Sequence, residues 1–309
     1  MTWWQAVIMG IVQGLTEFLP VSSTAHLRVT PAVCGFADPG AGFTAIIQLG
    51  TLAAVLWYFW RDITELAVGW LRGLVTLRPF GTVIARQGWF IILATIPIVL
   101  CGYFGKSLIS DDPEQGHTAP LRTLTAVSLQ LIAGSIIMCL SEIAHLWYRQ
   151  RETPFKELPQ LGLLDTLGVG LFQCLALMPG MSRSGMTISG GLFLGLSRET
   201  AARFSFLLSL PAIFAAAVYS GYKDFLKPHL ATGTPIWELG QTGVVGPTGL
   251  IGLTEIAIAT VVSGIVGYAA IAFLLEYLKR NSVAIFIIYR LILASLLLLA
   301  LKQNWLISH

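Results

Sequence analysis

Residues 124–140, LTAVSLQLIAGSIIMCL, hold no charged side chain, and a segment like this has few ways to be stable in water. The apolar run that contains it extends over 124–147, and comparable runs occupy 43–60, 89–108, 204–222, 255–278 and 283–301. A helix rises about 1.5 Å per residue and needs about 20 residues to cross a bilayer core, so each run is long enough to span. In lipid the backbone amides must be satisfied inside the segment that carries them, which favours helices for spans of this length. The 309-residue chain is 55% hydrophobic and 11% charged, with a mean hydropathy of +0.75. The fold class expected is an all-α integral membrane protein with six spans, and membrane lipid is its first partner. The net charge of +3 is spread over many loops, so nucleic acid is not an expected partner.

The chain also resembles itself. Gly10, Gln13, Leu15 and Ser22 recur in the same spacing as Gly170, Gln173, Leu175 and Ser182, with Pro20 and Pro179 just ahead of the two serines. Further along, FTAIIQLGTLAAV at 43–55 lies over FSFLLSLPAIFAAAV at 204–218, and TIPIVLCGY at 95–103 over TVVSGIVGY at 260–268. Two homologous halves follow, 1–147 and 161–309, joined by a polar linker at 148–160. Each half opens with an apolar helix that stops at a proline, then a Gly/Ser-rich turn and a second short apolar piece. Neither arm is comfortably long enough to cross alone, so 2–34 and 161–196 read as re-entrant helical hairpins, each followed by three spans. Three is odd, so the second half enters the membrane from the opposite side, as an inverted-topology repeat.

Loop charges orient this arrangement. Residues 61–86 read as a loop carrying Arg61, Arg72, Arg78 and Arg86; the linker carries Arg149, Arg151 and Lys156, and the last turn Lys279 and Arg280. The opposite loops balance Lys106, Arg122, Lys223 and Lys227 against Asp111, Asp112, Glu114, Asp224 and Glu238. The first group, with its excess of cations, belongs on the cytoplasmic side. The first hairpin then enters from outside and the second from the cytoplasm, and their tips meet near the middle of the membrane. The N-terminus shows no basic leader and no cleavage site, and reads as a segment that is kept.

Chemistry concentrates at the tips. The first, QGLTEFLPVSSTAH at 13–26, places Gln13 and Glu17 on one helical face, followed by Ser22, Ser23, Thr24 and His26. The second, PGMSRSGMT at 179–187, carries Ser182, Arg183, Ser184 and Thr187, with Leu177 where Glu17 would recur. Gly180 and Gly185, a helix N-terminus after Arg183 and a planar guanidinium suit a phosphate. A carboxylate beside a phosphate repels it unless it is protonated, bridged by a cation or placed to take a proton. Glu17 therefore reads as a metal ligand or a proton-transfer group. The hydroxyls at 22–24 read as phosphate donors or nucleophile, and His26 as general acid or base. Cys34, Cys101, Cys139 and Cys174 stand alone and read as reduced packing residues. His117, His145, His229 and His309 read as solvated.

These two segments together resemble the signatures of the undecaprenyl-diphosphate phosphatase family, known also for bacitracin resistance, and the similarity runs along almost the whole chain. The resemblance implies a bacterial inner-membrane phosphoric anhydride hydrolase. Such an enzyme converts undecaprenyl diphosphate to undecaprenyl phosphate and inorganic phosphate, renewing the lipid carrier of cell-wall synthesis, with its site opening towards the periplasm. It implies catalytic roles for Glu17, Ser23, His26 and Arg183, and substrate contacts from Gln13, Ser22, Thr24, Ser182, Ser184 and Thr187. It also implies a divalent cation, magnesium or calcium, held by Glu17. The family's paired acids become Gln13 and Glu17 here, which argues against chelation by two carboxylates of this segment, and Ala25 stands where a glycine is common. A homodimer is the assembly to test. The rival reading is a transporter or flippase for polyprenyl phosphate or another anion, since inverted repeats with broken helices are the usual build of transporters.

Overall fold

The computed structural model describes residues 1–105, 120–220, 244–246 and 249–305. They form a helical protein with one short β-hairpin. The elements in chain order are α1 (Trp3–Phe18), α2 (Ser23–Cys34), α3 (Gly40–Tyr58), α4 (Trp60–Val75), α5 (Val83–Phe104), α6 (Leu124–Gln150), α7 (Leu163–Leu175), α8 (Arg183–Phe193), α9 (Arg198–Ser220), β1 (Val244–Gly246), β2 (Gly249–Ile251), α10 (Leu253–Arg280) and α11 (Ala284–Lys302). Among the described residues α5, α6, α10 and α11 are long and apolar enough to cross a membrane, and α3 with α4 passes the same test as a pair bent by 78°. The antiparallel β1–β2 pair, Val244 opposite Ile251, is the departure from an all-helical fold.

The outer faces of these helices carry Ile92, Ile143, Ile288 and Leu296, all exposed. Apolar exposure on this scale needs lipid rather than water around it, so the chain is a multi-pass membrane protein. Cys34, Cys101 and Cys139 share that exposure. The expectation that they pack inside fails because a surface facing lipid accepts a thiol as readily as a core does.

Helices pack across the halves. α1 lies on α10, α7 on α5, α3 on both α9 and α10, and α6 on α11. The first two contacts are close backbone approaches between matching positions. A Cβ at Gly10 would sit 2.6 Å from the Ala259 carbonyl oxygen, and one at Gly170 2.4 Å from that of Ala94. Small residues let membrane helices come this near, where dispersion replaces the absent hydrophobic effect.

Two further expectations are corrected. The segment read as a loop at 61–86 contains α4, which turns sharply away from α3 and packs on α5. Its apolar residues recur at helical spacing, with Arg61, Glu65 and Arg72 between them, the pattern of a helix lying at a membrane surface. His145, read as solvated, is 3% exposed and stacks on Phe155 at 4.3 Å. Nearby, Arg198 holds Glu142 through Nε and Nη2 at 2.9 and 2.5 Å, and Glu142 also accepts the Val283 amide, tying α6, α9 and the α10–α11 turn. His117, His229 and His309, and the charges between 106 and 119 and between 221 and 243 that were expected on the outer side, lie outside the described residues.

Candidate active site

The site grows from two helix breaks of the same design. α1 ends where Leu19 turns extended (φ −65°, ψ 140°) ahead of Pro20, as a residue before proline must to avoid the ring. Ser22 then takes φ 76° and caps α2, accepting the Ala25 amide on Oγ at 3.4 Å. In the second half Ser182 takes φ 72° and caps α8, accepting the Gly185 amide at 3.2 Å. A serine at positive φ is costly, by roughly 1–3 kcal/mol. That it occurs at both matching positions shows that the breaks are built alike, and the first residues of both helices line one place.

That place is a cavity of about 320 Å³ whose walls include Glu17, Ser23 and Thr24 from the first break, Ser182 and Arg183 from the second, and Gln48 from α3. Glu17 organises it. Its Oε1 accepts Arg183 Nη2 at 2.7 Å, while Oε2 accepts the Ser23 hydroxyl at 2.8 Å and Gln13 Nε2 at 3.0 Å. Arg183 Nη1 also reaches the Ser209 carbonyl at 3.4 Å. Glu17 is 8% exposed, and a charge buried to that degree is tolerable only with a paired partner. The polar groups here are thus held in place by one another: an acid, a hydroxyl and a guanidinium within hydrogen-bond reach.

Of the residues expected at the site, Gln13, Glu17, Ser23 and Arg183 are brought together, and Ser22, Thr24 and Ser182 line the same cavity. Three others face elsewhere. Ser184 donates to the Leu19 carbonyl at 3.1 Å, joining the breaks. Thr187 bonds back to the Arg183 carbonyl at 2.8 Å and to the Ser205 hydroxyl at 2.5 Å. His26 turns towards α11, with Nδ1 on the Ser22 carbonyl at 2.7 Å and Nε2 on the Tyr289 hydroxyl at 2.6 Å. Ser184 and Thr187 spend their hydroxyls on backbone and neighbouring helices, the common fate of Ser and Thr in membrane helices.

Sequence reasoning missed Arg290. It is fully buried on α11, and its guanidinium donates to the carbonyls of Pro20 at 3.4 Å and Gly180 at 2.9 Å, as well as to Leu131 and Ser135. Pro20 and Gly180 are equivalent positions of the two breaks, so one side chain holds both. The signal was present: Arg290 is the sole charge in the run 283–301, and a charge inside a span is a functional hypothesis by default.

The implied divalent cation can be tested against the donors present. Among the described residues no three His, Cys, Asp or Glu side chains cluster to hold a metal, so no all-protein cage exists there. Gln13 Oε1 is buried without a hydrogen-bond partner, beside Glu17. One carboxylate and a free amide oxygen fit a hard cation that takes its other ligands from phosphate and water, as magnesium does.

Fold and site define a multi-pass membrane protein with a buried acid–hydroxyl–guanidinium centre at paired helix breaks. The family described as Bacitracin resistance protein BacA matches residues 6–296, and the chain belongs to that family. A protein of Chlorobium limicola named undecaprenyl-diphosphatase is 49% identical over 306 residues, covering 99% of each chain. Proteins of the same name from Chlorobium phaeovibrioides and Chloroherpeton thalassium are 47% identical, over 99% of this chain and 100% of the relative, and 48% identical, over 97% of each.

Proposed function

We propose that this protein hydrolyses undecaprenyl diphosphate to undecaprenyl phosphate and inorganic phosphate, renewing the lipid carrier of cell-wall synthesis. The observation that carries this reading is the Ser23 hydroxyl donating at 2.8 Å to a carboxylate that also holds Arg183 at 2.7 Å. A nucleophile, its base and an anion-binding fork meet at one carboxylate. A phosphate carrier has no need of the hydroxyl–acid contact.

The diphosphate lies between the two helix N-termini, with the prenyl tail in lipid. Arg183 moves its fork from Glu17 to the phosphate oxygens, and the free amides of α2 and α8 add partial positive charge. Ser23 Oγ attacks the terminal phosphorus while Glu17 takes its proton. The bond from that phosphorus to the bridging oxygen breaks, and polyprenyl phosphate leaves with the proton that Glu17 had taken, so that Glu17 is a carboxylate again. Water, deprotonated by Glu17, then releases inorganic phosphate from Ser23. Glu17 and Gln13 Oε1 would hold the divalent cation together with phosphate oxygens. When bound, the cation neutralises charge that builds on the leaving phosphate.

The same reading includes six spans in an inverted-topology repeat, 1–147 and 161–309 about the linker 148–160, with re-entrant hairpins at 2–34 and 161–196. It is supported by the exchanged packing of α1 on α10 and α7 on α5, and by the matched Ser22 and Ser182 turns. The cationic segments around Arg61, Arg149 and Lys279 face the cytoplasm of a bacterial inner membrane, and the cavity opens to the periplasm. Association of two copies belongs to the same expectation, and light scattering of the solubilised protein measures it.

The test is phosphate release from undecaprenyl diphosphate by purified protein in detergent, with and without chelator. Release that needs a cation and disappears in folded Glu17→Ala and Arg183→Ala supports the reading. Tight binding of lipid phosphate without release moves it to transport. Acid-quench trapping of phosphoserine in wild type, absent in Ser23→Ala, establishes the nucleophile; activity persisting in Ser23→Ala gives the attack to water.

A further inference from the structure

His26 sits three residues beyond Ser23 yet does not line the cavity. Its Nδ1 lies 2.7 Å from the Ser22 carbonyl oxygen. A carbonyl can only accept, so Nδ1 carries the proton, and in the neutral ring Nε2 must accept. The group facing Nε2 is the Tyr289 hydroxyl, at 2.6 Å, with the two rings stacked at 5.6 Å between centroids. Both ring nitrogens are therefore engaged, one on the strained turn at Ser22 and one on a helix of the other half. In the second break Met186, fully buried, stands where His26 would recur, and its amide alone meets the Ser182 carbonyl. The extra bond falls on the break that carries the hydroxyl bound to Glu17.

We infer that Tyr289 and His26 form a positioning pair: Tyr289 fixes the imidazole, whose Nδ1–H pins the Ser22 carbonyl and thereby aims the Ser23 hydroxyl at Glu17 and the bound phosphate. This rests on the phosphatase reading and assigns His26 to geometry, with no proton transferred to or from the substrate. The linkage is short. The turn from Ser22 to Ser23 is the first of α2, and a shift of about 1 Å in a nucleophile costs about a hundredfold in rate.

An asparagine separates the two roles, because its amide nitrogen occupies the place of histidine Nδ1, can donate to the same carbonyl and does not titrate. The experiment measures kcat and KM for phosphate release with wild type, His26→Asn, His26→Ala, Tyr289→Phe and the double variant His26→Asn/Tyr289→Phe, each monodisperse in detergent. The expected result is that His26→Asn keeps kcat within about fivefold of wild type, while His26→Ala loses about fiftyfold with KM little changed. Tyr289→Phe costs about fivefold on its own and nothing more in the His26→Asn background, the signature of residues acting through one another. His26→Asn as inactive as His26→Ala overturns the proposal in favour of general acid–base catalysis, which is worth about 10²–10⁴. Tyr289→Phe at the wild-type rate overturns it as well. Failure of wild type to release phosphate sinks the phosphatase reading and this one with it, and is distinguished by appearing before any substitution is made.

Discussion

The two helix breaks share a backbone and differ in what they carry. Each has a proline, a serine at positive φ (76° and 72°) and a side-chain cap on the next helix. At matching positions the first has Glu17, Ser23 and His26 where the second has Leu177, Arg183 and Met186. The conformation is therefore set by what is common, the proline, the cap and Arg290 bridging Pro20 to Gly180. The chemistry is set by what is not. Two breaks of like backbone lie together, and the difference between their side chains puts a carboxylate opposite a guanidinium.

The sharpest way to break the comparison is to erase the difference. Glu17→Leu copies the second break onto the first, and Arg183→Ser copies the first onto the second. Each single change leaves a buried charge unpaired and is expected to destabilise by about 3–5 kcal/mol, read as a drop in Tm, and to remove at least about 10³-fold of phosphate release. The double variant removes both charges and is expected to recover much of the stability and none of the activity. A double variant that melts below both singles would mean the pair does more than balance itself.

Next in size is Ser23→Ala, which keeps the fold and loses the hydroxyl at Glu17; release falls by about 10²–10³-fold, comparable to other catalytic groups that transfer a proton or stabilise charge. Ser182→Ala, its neighbour's counterpart as a cap, costs about 1 kcal/mol and less than tenfold in rate. Equal losses at both serines would erase the proposed division between cap and chemistry.

Arg290→Met tests the shared frame. It leaves the carbonyls of Pro20 and Gly180 without that donor and is expected to lower stability by about 2–3 kcal/mol, with activity falling while KM for the cation stays put. The cation itself is tested by Gln13→Leu. Chelation stops wild-type release and magnesium or calcium restores it, whereas the Gln13 variant needs about tenfold more cation to reach the same maximal rate. The smallest effect belongs to Thr187→Val, since that hydroxyl serves Arg183 O and Ser205. Less than about 1 kcal/mol and a twofold change in rate are expected.

Much of this was legible beforehand because lipid restricts the choices. Apolar runs foretold the long helices, and Pro20 foretold where α1 stops, whereas the helix Leu163–Leu175 stops four residues ahead of Pro179. Glu17, Ser23 and Arg183 were recognisable as rare polar groups at those stops. The helix Trp60–Val75 was misread because its mixed polar and apolar sequence satisfies a loop as well as a surface helix until its packing on α5 is known. The exposed cysteines and buried His145 were misread for a related reason: in a membrane protein, polarity alone does not say which face of a helix meets protein.

By itself the sequence determined the solvent, the helical class and the stop of α1 at Pro20, because each depends on local composition and backbone sterics. Only the tertiary structure decided that Arg183 meets Glu17 across 166 positions, that His26 turns to Tyr289, and that Arg290 holds both breaks. Those pairings depend on how helices distant in sequence cross. Such crossings are set by the close approach of small residues and by the need of each buried charge for a partner, which no local pattern records.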